Sequence, residues 1–262
     1  PDQISVTAGA MGAINLAAQT FLSPGSRVVV EGVSFPHGHD ALIAAGGRLS
    51  PLALTEHPWD ATALKSLLGR SRHTAAYVIP DFHNPTGAVM SDADRGAWAA
   101  LLKRHDVIPM VDETLRHVNL DDVELPPPFA TYDPRAITFG SMSKAFWGGL
   151  RIGWARVPQP RRMAMLQSRM FIDLGAMRVV ECWGDDVPEG KLTDFRKSVR
   201  AEDNETVVFS WIEWPDKATR DTGMKSIMDD PRMKMEDNPM PFDGKRMIYG
   251  GFASVVEVGA KA

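Results

Sequence analysis

A lysine preceded by two small hydroxyl residues and followed by an arginine is the most reactive arrangement in this sequence. In Gly140-Ser141-Met142-Ser143-Lys144-Ala145-Phe146-Trp147-Gly148-Gly149-Leu150-Arg151, the amine follows Ser141 and Ser143, and Arg151 lies beyond it across a glycine pair. Hydroxyls and a guanidinium clamp a phosphate, and glycines let the backbone approach a ligand. A lysine held beside such a clamp can form an imine with an aldehyde cofactor that carries its own phosphate. Taken alone, the segment reads equally as a solvated lysine in a Ser/Gly loop.

Four other places offer groups that such a cofactor needs. Gly9-Ala10-Met11-Gly12-Ala13 opens a helix, whose exposed amides and positive dipole end suit a phosphate; it also reads as a plain glycine turn joining strand to helix. Ser34-Phe35-Pro36 supplies Phe35, a planar side chain that can stack on an aromatic ring or cap a core. Pro80-Asp81-Phe82-His83-Asn84-Pro85-Thr86-Gly87 is rich in turn formers and contains Asn84. Val107-Ile108-Pro109-Met110-Val111 ends in Asp112-Glu113, and Asp112 can pair with a protonated ring nitrogen or cap a following helix. The histidines are scattered without ligand spacing and receive no role.

These residues sit where apolar runs end. Ile4 to Thr7, Arg27 to Glu31, Leu52 to Leu54, Ala75 to Ile79, Val107 to Val111 and Ala136 to Phe139 read as strands. Helical patterns run from the Gly9 turn through Phe21, over Ala61 to Leu68, over Ser91 to His105 and over Gln159 to Leu174. The alternation predicts an α/β fold, a mainly parallel sheet covered by helices, with ligands at the carboxyl ends of its strands.

The chain has 262 residues, enough for one large or two modest domains. It is 44% hydrophobic and 24% charged, as ordinary globular proteins are, and its net charge of -4 gives no electrostatic reason to expect nucleic acid or an anionic membrane as partner. One cysteine, Cys182, excludes an internal disulfide and a multi-cysteine metal site. Nothing reads as a signal peptide or a long apolar span, so a cytoplasmic location is the expectation. The start at Pro1, directly before the Ile4 run, reads as the start of a fragment.

With its glycine turn, Asn84-Pro85-Thr86-Gly87, Asp112 and Ser141-Met142-Ser143-Lys144 with Arg151, all in order, the chain up to about Gln159 resembles the fold-type I, class I/II aminotransferases. Phe146 to Trp154 is similar to the version found in regulators that fuse a GntR-type DNA-binding domain to an aminotransferase domain, the MocR type. The resemblance implies pyridoxal phosphate as cofactor, an amino acid or 2-oxo acid as substrate, and a homodimer. It implies Lys144 as the residue carrying the cofactor and Ser141, Ser143, Arg151 and the Gly9, Ala10 and Met11 amides around the phosphate. Asn84 would donate to the ring oxygen, Asp112 would pair with the ring nitrogen and Phe35 would lie on the ring face. Many relatives carry a tyrosine three residues after the aspartate; here that position is Leu115.

Beyond Val157 the character changes. Arg178 to Lys191, Glu205 to Pro215 and Met240 to Phe252 resemble the YbaA-like bacterial domains, which implies a small ferredoxin-like α+β barrel. Strands are expected at Val179 to Trp183, Val207 to Trp214 and Arg246 to Val258, and a helix at Asp216 to Asp229. Asp185, Asp186 and Glu189 read as a solvated acidic turn more readily than as a cation site. Met224, Met228, Met233, Met235 and Met240 read as core or interface filler. The expected organisation is an incomplete aminotransferase-like domain over 1–174 and a YbaA-like domain over 175–262 that lacks its first strand. Three functions follow: a transaminase of low activity, a cofactor-sensing regulator domain, or a noncatalytic association module.

Overall fold

The computed structural model describes residues 3–53, 58–227, 230 and 243–255. Nine strands and eight helices alternate along them: β1 (Ile4–Ala8), α1 (Gly9–Phe21), β2 (Arg27–Glu31), α2 (Pro36–Ala44), β3 (Arg48–Leu52), α3 (Ala61–Arg70), β4 (Ala75–Val78), α4 (Asp92–Arg104), β5 (Ile108–Asp112), β6 (Ile137–Ser141), α5 (Met142–Ala145), β7 (Ile152–Arg156), α6 (Gln159–Asp173), β8 (Arg178–Trp183), α7 (Phe195–Ser198), β9 (Val208–Glu213) and α8 (Lys217–Ile227). The chain divides into two compact units, Pro1–Leu166 and Gln167–Ala262, and the division falls inside α6.

In the first unit seven strands form one sheet in the order β1-β7-β6-β5-β4-β2-β3. From β3 to β6 all neighbours are parallel, and β7 runs antiparallel to both β6 and β1. Two reversals leave β1 pointing the same way as the parallel set. The central strands β4 and β6 are buried at every residue, the continuous apolar signature of a sheet covered on both faces. Pro51 is tolerated in β3 because that strand lies at the sheet's edge, where a missing amide need not break a ladder bond.

Local signals fix the helices. Ser91 caps α4 by accepting from the Asp94 amide at 3.1 Å, with Asp92 and Asp94 in the first turn and Lys103 and Arg104 in the last, each sign facing the complementary dipole end. Asp60 caps α3 by accepting from the Thr62 amide at 2.7 Å. Between α3, α4 and the sheet lies a core built around Trp59, Leu64, Leu68, Trp98, Leu102 and Phe129. Trp98 is fully buried, and its indole N–H donates to the Trp59 carbonyl at 2.8 Å, so no polar atom of the ring is stranded.

The second unit, described on its own, contains an antiparallel pair, β8 with β9, in register from Arg178 opposite Glu213 to Trp183 opposite Val208. This pair is a sheet separate from the seven-stranded one. Helix α8 follows β9, and Gly223 lets it approach Trp214 closely: a Cβ there would lie 2.6 Å from the indole ring. The strand expected from Arg246 onward is corrected. Residues 247–255 contain no strand, and Arg246 instead ends a 3-10 turn, Gly244–Arg246. Among the described residues no strand lies beside its apolar side chains, including Tyr249 at 84% and Phe252 at 92% exposure, and Arg246 is held by a bidentate pair with Glu205 at 2.7 Å. Residues 256–258 of that expected strand, Met228 and Asp229 of the expected helix, and Met233, Met235 and Met240 lie outside the described residues. Among the described residues no helix is long and apolar enough to cross a membrane.

Candidate cofactor site

Because β7 alone runs against the others, the carboxyl ends of β1, β2, β4, β5 and β6 share one edge of the sheet with the amino end of β7. Every site residue expected from the sequence falls on that edge. Gly9 to Met11 begin α1 after β1, Phe35 caps α2 after β2, Asn84 follows β4, Asp112 ends β5, Ser141 ends β6, Ser143 and Lys144 lie in α5, and Arg151 precedes β7.

The start of α1 is built for close backbone approach. Gly9 has φ of +76°, which favours glycine, and a Cβ at Gly153 of β7 would overlap the Gly9 and Ala10 backbone. Position 153 therefore excludes any side chain, and β7 presses directly against the helix start. At the end of β6, the buried Ser141 caps α5 by accepting from the Ser143 amide at 3.1 Å. Lys144 and Arg151 are exposed, and among the described residues their side chains, like that of Asn84, take no hydrogen-bond partner. Arg151 adopts the left-handed conformation, φ 53°, unusual for a residue with a Cβ. The Phe35 ring is partly buried and meets His37 edge-on at 5.5 Å.

Asp112 is 5% exposed, and burial raises its carboxyl above the ordinary aspartate range while donors from Thr114 and Tyr77 oppose that rise. Its Oδ1 accepts from the Thr114 amide at 3.0 Å and its Oδ2 from the Tyr77 hydroxyl at 2.7 Å. No helix follows, so the carboxylate closes a local turn and leaves no helix start to cap.

Several residues here were not legible beforehand. Tyr77 pairs in register with Met110, which puts Asp112 two residues further along the same face. A buried tyrosine that needs a partner for its hydroxyl was the available signal. Glu31, 2% exposed at the end of β2, gathers donors from Trp59 Nε1 (2.9 Å), the Ile79 amide (3.0 Å) and Ser34 Oγ (2.9 Å). His83 places Nε2 3.3 Å from Glu31 Oε2 and Nδ1 2.8 Å from Thr86 Oγ1. Glu31 thereby ties the loop bearing Phe35 to the end of β4, with the His83 ring of the Asn84 loop close beside it.

Pyridoxal phosphate fits this donor set. A buried acceptor, a glycine-lined helix start, two serines, an arginine and an uncommitted primary amine share one edge. On the Tyr77 side of the Tyr77–Asp112 pair, the buried His39 Nε2 lacks a hydrogen-bond partner among the described residues. A small cavity of ≈ 30 Å³ lined in part by Gln3, Ile4, Val157 and Met165 lies at the opposite edge, away from these residues.

Comparison with known proteins places the geometry in context. Residues 1–182 match the family "Aminotransferase class I and II", and residues 152–244 match "Protein of unknown function (DUF1428)". YbaA of Escherichia coli K12 is 58% identical over 97 residues, covering 37% of this chain and 83% of its own length. The 2-aminoadipate transaminase of Thermus thermophilus is 28% identical over 179 residues, 66% of this chain and 45% of its own length. The HTH-type transcriptional regulator YdfD of Bacillus subtilis is 29% identical over 176 residues, 66% of this chain and 36% of its own. Among solved structures, the α-aminoadipate aminotransferase LysN of Thermus thermophilus, complexed with N-(5'-phosphopyridoxyl)-L-leucine, superposes with a TM-score of 0.61 at 26% identity, over 66% of this chain and 46% of LysN. The chain spans less than half the length of the aminotransferases it matches.

Proposed function

Since this chain belongs to the aminotransferase class I and II family over residues 1–182 and to the YbaA-like family over its carboxyl-terminal part, we propose that its first unit binds pyridoxal phosphate through Lys144 and acts between an amino acid and a 2-oxo acid. The observation that carries this reading is the meeting of the free Lys144 amine, the buried Asp112 carboxylate and the Gly9 helix start on one sheet edge.

Each residue has a physical task. The Gly9, Ala10 and Met11 amides, the Ser141 and Ser143 hydroxyls and the Arg151 guanidinium hold the phosphate. Asp112 offers a negative charge to the ring nitrogen, Asn84 donates to the ring oxygen and Phe35 lies against the ring face. Lys144 Nζ attaches the cofactor and is the amine available to move a substrate α-proton. When bound, pyridoxal phosphate supplies the electron sink that weakens bonds at the amino acid's α-carbon.

Borohydride reduction of the full chain with the cofactor, followed by peptide mapping, tests the assignment: label is expected on Lys144 and is lost in Lys144→Ala. Label on another lysine, or none in folded protein, overturns it. A second reading, a cofactor sensor, is favoured by the likeness to YdfD and by Leu115 at the usual tyrosine position. It predicts cofactor uptake without turnover of any amino acid.

A further inference from the structure

We propose that Tyr77 is a positioning residue: its phenol, seated by Gly38 of α2, fixes the Asp112 carboxylate for the ring nitrogen of the cofactor. The inference rests on the pyridoxal-phosphate reading for the identity of the partner that Asp112 meets, and on the fold alone for the contact itself.

Tyr77 is 1% exposed on β4, and its hydroxyl donates to Asp112 Oδ2 at 2.7 Å. With the Thr114 amide on Oδ1, each carboxylate oxygen holds one neutral donor from a different element, so the group cannot rotate without breaking both bonds. The phenol has little freedom in turn. A Cβ at Gly38 would lie 2.7 Å from the Tyr77 hydroxyl oxygen and 2.8 Å from its ring, so the glycine makes the space the phenol occupies. Gly38 lies in α2, the helix that Phe35 caps. One hydroxyl therefore links the element bearing the proposed ring-face residue to the proposed ring-nitrogen partner.

The charge balance favours a donor in this position. Glu31 of β2 adds negative charge near both Tyr77 and Asp112, and the ring of His39 of α2 stands edge-on to Tyr77 at 6.5 Å. Burial and the adjacent carboxylate push the phenol well above its ordinary range, so it keeps its proton and remains the donor. Asp112 would otherwise be a buried carboxylate supported by the Thr114 segment alone.

The test uses the full chain and Tyr77→Phe, which keeps the ring and removes only the hydroxyl. In ligand-free protein, carbon-13 NMR of labelled aspartate is expected to show the Asp112 carboxyl titrating at higher pH in the variant, because a donor to the charged form is gone. With pyridoxal phosphate, the expected results are about tenfold weaker binding, the loss of one hydrogen bond to a charged group, and a shifted pH midpoint of the bound cofactor's absorbance. Gly38→Ala, which displaces the phenol and leaves Asp112 intact, should move all three readouts in the same directions. A lower melting temperature with unchanged Asp112 titration and absorbance midpoint would reduce Tyr77 to a packing residue and overturn the inference. If the parent chain takes up cofactor and Tyr77→Phe binds it equally well, the inference alone falls. If the parent takes up none, the cofactor reading falls with it.

Discussion

Lys144 and Arg151 are both exposed and uncommitted, so substituting either removes a ligand contact with little damage to the core. Arg151→Ala is expected to weaken pyridoxal phosphate binding by about 1.5–3 kcal/mol, the worth of a charged hydrogen-bonded contact, measured by titration of cofactor absorbance. Asp112 is the opposite case. Burial raises its carboxyl, so the folded state favours the protonated form; the associated stability is present at low pH and is lost as pH rises through the raised value. Ligand-free Asp112→Asn should therefore melt no lower than the parent at neutral pH and lack that acid-side gain. It should bind cofactor at least tenfold more weakly, because an amide oxygen can accept from a protonated ring nitrogen but brings no negative charge to it. Calorimetry across pH separates the two effects, and a large loss of stability at neutral pH would contradict this account of Asp112.

At the level of elements, strands that end in chemistry were legible and the contacts between them were not. Asp112 and Ser141 could be placed at strand ends because the apolar runs before them are short and bounded, as buried parallel strands are. Helix α2 was hidden because Gly38 lowers helix propensity, and the Tyr77 phenol across the interface accounts for that glycine. Strand β7 was hidden inside a motif read for its glycines, and the overlap of Gly153 with the Gly9 backbone needs both β7 and the start of α1 in view. The strand expected after Arg246 failed for a related reason: alternation marks a strand only when something covers its apolar face. There Glu205 is held down to about 2, chiefly by the hydrogen bond from Arg246. Its contribution is present above the ordinary glutamate range and is lost as pH falls through about 2. The Arg246 amide, bonded to the Asp243 carbonyl at 3.1 Å, should lose hydrogen-exchange protection in that window, and Glu205→Gln should lower its protection at neutral pH. Equal protection in the variant would show that the pair does not secure the turn.

At the level of the whole molecule, the chain joins two families whose matches overlap across residues 152–182, the stretch containing β7, α6 and most of β8. We propose a homodimer, as the aminotransferase likeness implies; sedimentation should show twice the chain mass at micromolar concentration, and a monomer there would refute it. The assembly is expected to hold cofactor better than it turns over substrate. Transamination needs the substrate carboxylate gripped so that the breaking bond is correctly oriented to the ring. Arg151 is assigned to the phosphate, Arg95 is fully buried against Asp81 at 2.6 Å, and Arg116 is tied to both Asp81 and the Pro126 carbonyl. None of these arginines is free to form a bidentate carboxylate clamp. Without such a clamp the transition state is less favourable by several kcal/mol, roughly a thousandfold or more in rate. Mixing the cofactor-loaded chain with a panel of amino acids should leave the cofactor's aldehyde form largely unconverted over minutes. Conversion at rates on the order of one per second with any of them would show that another group grips the carboxylate.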